Sequence, residues 1–126
     1  MPKAEGLSLP FEAEESIRKD LLETFPYSGK KQQINYKTNE FSAVCPFSGL
    51  PDYGSLSIDY IPDTQIVELK SLKYYITSYR NIGIYQEHAT NRLYQDLHTL
   101  LRPQYLKVTT VYNTRGGIDT TCSIES

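Results

Sequence analysis

Tryptophan is absent from this chain, methionine occurs once, and 126 residues carry only two cysteines and two histidines. Each scarcity excludes something. Cys45 and Cys122, 77 positions apart, cannot make a disulfide framework and are expected to be thiols in a reducing compartment. His88 and His98 stand ten apart and Cys122 has no neighbouring ligand at metal spacing, so no metal centre is expected. The chain has no G-x-G-x-x-G, no P-loop, no H-E-x-x-H and no G-x-S-x-G, so a phosphate-bearing cofactor would bind outside a Rossmann crevice and a serine triad is unsupported. No run of 18 apolar residues occurs and the opening MPKAEGLSLPFEAEES lacks an apolar core, so neither membrane insertion nor export is expected, and a cytoplasmic location is. Lys30-Lys31 is the longest basic run and the formal net charge is −2, which argues against a nucleic-acid partner.

What is present suits one soluble domain. Apolar residues make up 39% and charged residues 22% without long blocks, and the length matches a single core. That core is rich in tyrosine, 11 against four phenylalanines, so buried hydroxyls need partners, a wet edge or a subunit interface. Residues 1–30 read as an arm in which EESIRKDLLETF, with Ile17, Leu21, Leu22 and Phe25 at helical spacing, forms a helix or a turn of one. QQINYKTNEFSAVC and GSLSIDYIP read as two strands. The second alternates cleanly, with Leu56, Ile58 and Tyr60 on one side and Ser55, Ser57 and Asp59 on the other, and GLPDYG is the loop between them. After a short apolar stretch, Leu72, Tyr75, Ile76 and Tyr79 mark one helix. Beyond Gly83, Ala89, Leu93, Leu97, Leu100 and Leu101 mark a second, stopped by Pro103. YLKVTTVYNT and GIDTTCSIE then read as strands joined at Arg115-Gly116-Gly117, with Cys122 assigned to the core. The order in residues 31–126 is strand, strand, helix, helix, strand, strand: an α+β fold, with an antiparallel sheet covered by helices on one face and open on the other.

Three stretches can carry chemistry. In AVCPFSGLPDYG, Pro46 forces extended backbone at Cys45 and starts a loop, and Asp52 falls in the same segment; the two can supply a nucleophile and a proton-transfer group, against the alternative of a packed thiol and a turn-forming acid. In VELKSLKYY, a helix starting near Ser71 would place Lys70 and Lys73 one turn apart at its positive end, where free backbone amides and two cations suit a phosphate; solvated lysines are the alternative. In GIYQEH, Glu87 lies in the first turn of a helix, where a carboxylate commonly complements the dipole.

Taken together, Cys45 with Asp52, the run Glu68-Leu69-Lys70-Ser71-Leu72-Lys73-Tyr74-Tyr75, and SYRNIGIYQEH resemble the short, single-domain NADPH-dependent 7-cyano-7-deazaguanine reductases, the nitrile reductases of queuosine biosynthesis, from about residue 30 onward. The resemblance implies the tunnelling fold, a strand-strand-helix-helix-strand-strand unit that assembles into homo-oligomeric rings, two stacked pentamers among them. It implies that Cys45 adds to the nitrile carbon and Asp52 donates a proton to the nitrile nitrogen. Lys70, Ser71, Leu72 and Lys73 would bind NADPH, and Val67, Glu68, Leu69, Gln86 and Glu87 would line the deazaguanine pocket, Glu87 gripping the base. It implies no metal, and subunit-interface sites in which Cys45 and Glu87 come from different chains. Gln86 stands where many relatives have histidine and cannot carry a proton near neutral pH. Other readings are an amidine-forming transferase acting on the same nitrile in transfer RNA, and a non-catalytic purine-binding ring protein. A zinc-dependent pterin enzyme on the same fold lacks its ligands here.

Overall fold

In the computed structural model, which describes residues 2–126, the chain runs through β1 (Thr24–Pro26), β2 (Ile34–Val44), β3 (Pro51–Ile61), β4 (Gln65–Val67), α1 (Leu69–Thr77), α2 (Gln86–Leu101), β5 (Tyr105–Arg115) and β6 (Ile118–Glu125). The four long strands make one antiparallel sheet in the order β2-β3-β5-β6, and α1 and α2 cover one face of it. The expected α+β order therefore stands. Alternation along β3 buries Leu56, Ile58 and Tyr60 against the helices, while Leu72 and Tyr75 of α1, Tyr79 just beyond it, and Ala89, Leu93, Leu97 and Leu101 of α2 meet them. Pro103 follows an α2 that ends at Leu101, with Arg102 in the left-handed region as its C-cap. Gly116 and Gly117, both at positive φ, close the β5–β6 hairpin as the two-residue turn their sequence announces. Among the described residues, no helix is long and apolar enough to cross a membrane.

The structure adds a bulge and a second small sheet, and it corrects the expectations for the arm and for Cys122. β2 does not keep one alternation: Ile34, Tyr36 and Thr38 face the helices, then two residues, Asn39 and Glu40, stand against one on β3, and Phe41 and Ala43 take over the inner face. This bulge is what lets both halves of the strand bury apolar side chains despite opposite parity. The arm forms two 3-10 turns, Glu14–Ser16 and Lys19–Leu21, in place of a helix; Ile17 is buried in the core, Leu22 packs partly against it, and Phe25 lies exposed. Phe25 belongs to a strand the sequence did not reveal, since β1 and β4 pair as a separate two-stranded sheet in which Phe25 faces Ile66 across the ladder. Cys122 is half-buried and outside the core cluster, because β6 is an edge strand that the helices cover only in part.

Tyrosine hydroxyls inside the core have found partners, with one exception. Tyr60 accepts from the Val67 amide at 3.3 Å, and Tyr75 bonds both Tyr79 and the Asp96 carboxylate at 2.7 Å, with Arg92 Nε donating to the same Asp96 oxygen at 2.7 Å. The Tyr112 hydroxyl is buried without a hydrogen bond.

Candidate active site

Cys45 follows the last residue of β2, and its backbone closes the next turn on itself. Its amide donates to the Leu50 carbonyl at 2.9 Å, and its carbonyl accepts from Gly49 N–H at 2.9 Å. Gly49 sits at φ +73°, a conformation an L side chain strains to adopt. The half-buried thiol is thereby held over a turn whose polar groups converge on it. Chief among them is the Ser48 hydroxyl, followed by the amides of Ser48 and Phe47; with the more distant Arg115 guanidinium they hold the thiol below its ordinary pKa against the opposing effect of burial. A thiol so placed yields its thiolate at lower pH than an ordinary cysteine.

Asp52 is not in the loop, as the sequence suggested, but is the second residue of β3, opposite Ala43. Pro51 can begin that strand because a first residue can lack an N–H, and the true loop shortens to residues 45–50. The strand setting matters. Cys45 and Asp52 fall on the same face as diagonal neighbours, about 7–8 Å apart by sheet geometry. Asp52 is only 6% exposed, and its Oδ1 meets the Arg115 guanidinium as an ion pair without hydrogen-bond geometry and has no other partner.

The start of α2 reaches this end of the sheet because Val44 bonds across to the segment before it: Val44 N–H donates to Ile82 C=O at 2.9 Å, and Ile84 N–H to Val44 C=O at 3.2 Å. Phe47 then meets Tyr85 edge-on at 5.9 Å between ring centroids, and half-buried Gln86 and exposed Glu87 follow in the first turn. Tyr112, on the strand beside β3, has its hydroxyl pushed up in pKa by burial first, with Cys122 and Glu87 adding to it. Cys45, Asp52, Gln86 and Glu87 thus share one end of one chain.

The remaining candidates lie at the other end. From Asp52 to Tyr60 the strand spans eight residues, about 27 Å of extended chain, and it is the Tyr60 hydroxyl that receives the Val67 amide. Val67 is buried in the core and Leu69 is exposed. α1 begins at Leu69, two residues earlier than expected, because the Glu68 carboxylate caps it. One oxygen accepts from Lys70 N–H and the other from Ser71 N–H, both at 2.8 Å, and these bonds, Lys70 first, hold the Glu68 carboxyl below its usual range. The amides expected to be free for a phosphate are therefore occupied. Ser71 is buried, its hydroxyl donating to Glu68 C=O at 2.7 Å and accepting from Glu23 N–H at 3.0 Å, and Leu72 is 2% exposed in the core. Of the Lys-Ser-Leu-Lys stretch, only the two lysines project into solvent. Lys73 borders a groove of about 610 Å³ between β2 and α1 whose rim also carries Lys37 and Arg80.

Two residues at the Cys45 end escaped the sequence reading, Ser48 and Arg115. Ser48 was legible as the hydroxyl three places after a cysteine that opens a turn. Arg115 was read only as part of a hairpin, and its approach to Asp52 depends on strand pairing.

Comparisons with known proteins converge. Residues 51–126 match the model of the family described as QueF-like protein. The chain is 56% identical to the NADPH-dependent 7-cyano-7-deazaguanine reductase of Thermotoga petrophila, over 100% of this chain and 93% of that one. It is 53% identical to the reductase of the same name from Thermoanaerobacter pseudethanolicus, over 84% of this chain and 81% of that one. With the Pelodictyon phaeoclathratiforme reductase it shares 48% identity over 86% and 95% of the two chains. Among solved structures, an archaeosine synthase QueF-Like in the apo form superposes with a TM-score of 0.67 at 25% identity, covering 79% of this chain and 96% of that one.

Proposed function

Because this chain belongs to the QueF-like protein family, we propose that it is an NADPH-dependent 7-cyano-7-deazaguanine reductase, an oxidoreductase that converts a nitrile to a primary amine in queuosine biosynthesis. The observation that carries the reading is Cys45, a thiol made acidic by its own turn and set beside a buried carboxylate. The amidine-forming alternative is not favoured, since the names attached to 44–56% identity are those of reductases.

The residues divide the work as follows. Cys45 Sγ adds to the nitrile carbon, forming an S–C bond while one C≡N π bond opens, and Asp52, within reach of both sulfur and nitrogen, delivers the proton the nitrogen needs. The product is a thioimide, whose C=N bond accepts hydride where the nitrile would not. NADPH, when bound, would supply two hydrides; Cys45 leaves as thiolate between them to give an imine, and one nitrile with two hydrides and two protons in all, that from Asp52 included, balances to an aminomethyl group. Glu87 accepts paired N–H bonds from the guanine-like edge, and Gln86, able to donate and accept, adds neutral hydrogen bonding. Val67, Glu68 and Leu69 complete the pocket wall.

Lys70 and Lys73 fit a phosphate-bearing cofactor as solvent-facing cations, Lys73 lining a groove that Lys37 and Arg80 also line, with Glu40 as its one acid. Ser71 and Leu72 serve that site by fixing the start of α1. Residues 31–126 are the catalytic unit and residues 1–30 an arm upon it. The protein works in the cytoplasm on the free base as a homo-oligomeric ring. The outer edges of β6 and of β2 before Val44, which no strand of the chain pairs, support assembly, as does the distance between the two groups of site residues. The complete site takes Cys45, Asp52, Gln86 and Glu87 from one chain and the Val67–Lys73 segment from its neighbour.

The test is NADPH oxidation on addition of 7-cyano-7-deazaguanine, with amine product quantified, for the parent and for Cys45→Ala. Two NADPH per amine, abolished in the variant, supports the reading; no turnover of the free base by the parent refutes it.

A further inference from the structure

The arm crosses the molecule against the Cys45 loop. Leu9 N–H donates to Ser48 C=O at 2.7 Å. Leu9 also lies so close to Gly49 that a Cβ there would stand 2.4 Å from the Leu9 carbonyl oxygen. Two residues on, the Phe11 ring packs on Gly83, where a Cβ would come within 2.3 Å of it. Glu12 then pairs with the strand segment beside Val44: its amide donates to Asn81 C=O at 2.8 Å and its carbonyl accepts from Gly83 N–H at 2.9 Å. Arm, residues 82–84 and the end of β2 are therefore three adjacent strips of hydrogen-bonded backbone, with Cys45 at the margin of the third. Further back the arm is tied down by buried Ile17 and by Glu14, whose carboxylate stands 3.6 Å from Arg92 Nη1.

Ser48 is where this scaffold meets the thiol. Its carbonyl is held by Leu9 and its Oγ accepts from Leu50 N–H at 3.2 Å, so the residue whose hydroxyl and amide do most to favour the Cys45 thiolate is fixed from both sides. We propose that residues 7–12 form a strap that positions the Cys45 loop, with Leu9 acting on the nucleophile through Ser48 and Phe11 seating the strap on Gly83. Leu9 and Phe11 are positioning residues; neither touches the reacting atoms. The strap explains why two glycines flank the site where they do, since any side chain at position 49 or 83 would lift it.

The inference rests on Cys45 being the nucleophile, yet its test reads the thiol and not nitrile turnover, so failure of one does not mimic failure of the other. In the full-length chain, Leu9→Pro removes the N–H that holds Ser48, while Leu9→Met keeps it. Alkylation of Cys45 by iodoacetamide is followed across pH by mass spectrometry of the Cys45 peptide, which separates it from Cys122, and thermal melting is recorded alongside. The charged groups facing the thiol, Asp52 on β3 and Arg115 at the end of β5, stay unchanged. Loss of donors that favour the thiolate raises its pKa, so Leu9→Pro is expected to move the alkylation profile to higher pH. At pH 7 alkylation should slow about three- to tenfold, while Leu9→Met matches the parent. A folded Leu9→Pro protein with the parental profile overturns the strap. Should Leu9→Pro fail to fold, Phe11→Ala decides: an upward displacement supports the proposal, and an unchanged profile overturns it.

Discussion

The two ends of the sheet are finished in opposite ways. Around the start of α1 the polar groups are spoken for: Glu68 takes two amides, Ser71 bridges Glu23 and Glu68, and the Tyr60 hydroxyl receives Val67. At the Cys45 end, Asp52 Oδ1 is buried with the Arg115 guanidinium as its ion-pair partner, the Tyr112 hydroxyl on the adjacent strand is buried without a hydrogen bond, and the thiol is made more acidic by its loop. Leaving a buried hydroxyl unpaired costs about 1–3 kcal/mol, so folds avoid it unless something else meets the need. The difference separates an end that anchors from an end that reacts. In the proposed reading the anchoring end contributes the pocket wall of Val67, Glu68 and Leu69 and the two lysines it holds out into solvent, Lys70 and Lys73.

That contrast can be broken at either end. Asp52→Asn should give the largest effect: a fall in kcat of about 100- to 1000-fold, because the amide cannot pass a proton, while NADPH KM stays close to parental. A kcat within threefold of the parent would remove Asp52 from the proton path. Lys70→Ala combined with Lys73→Ala comes next. It should raise the NADPH KM about 10- to 100-fold and leave iodoacetamide alkylation of Cys45 in the absence of NADPH unchanged, since the lysines serve the cofactor's phosphates and no lysine is among the groups that set the thiol's acidity. A change in thiol reactivity would show that the two ends are not independent. Asp96→Ala should matter least to chemistry and most to stability. It strips partners from Tyr75 and Arg92 inside the helix layer, at a cost of about 3 kcal/mol read by denaturant unfolding, with the alkylation profile unmoved.

Much of this architecture is legible in the chain. The period-two pattern of β3, the Leu93-Leu97-Leu101 stripe and the Arg115-Gly116-Gly117 turn are local signals whose physics lies within a few residues. What hid was non-local. The parity switch in β2 makes sense only against β3, and β1 is too short to announce itself before β4 pairs with it. Asp52 reads as a turn residue between Pro51 and Tyr53 until Ala43 is set opposite. For the site, the sequence supplied Cys45, Asp52 and the Lys70–Lys73 stretch through family likeness. It could not show that Ser71 and Leu72 are turned inward, nor that Glu68 spends its carboxylate on a cap. Arg115 and the strap residues Leu9 and Phe11 act across dozens of positions, a relation that no spacing rule encodes.

The claim that one catalytic site is assembled from two chains is tested most directly by mixing two crippled proteins. Cys45→Ala lacks the nucleophile; the Lys70→Ala, Lys73→Ala protein, assayed at NADPH well below its raised KM, lacks the cofactor grip. Dissociated together and reassembled in equal amounts, they should place a sound Cys45 beside a sound lysine pair at about one interface in four, restoring about a quarter of parental activity. Activity no greater than the sum of the two variants, in mixed oligomers confirmed by mass, would mean that each chain carries its own complete site and would contradict the account.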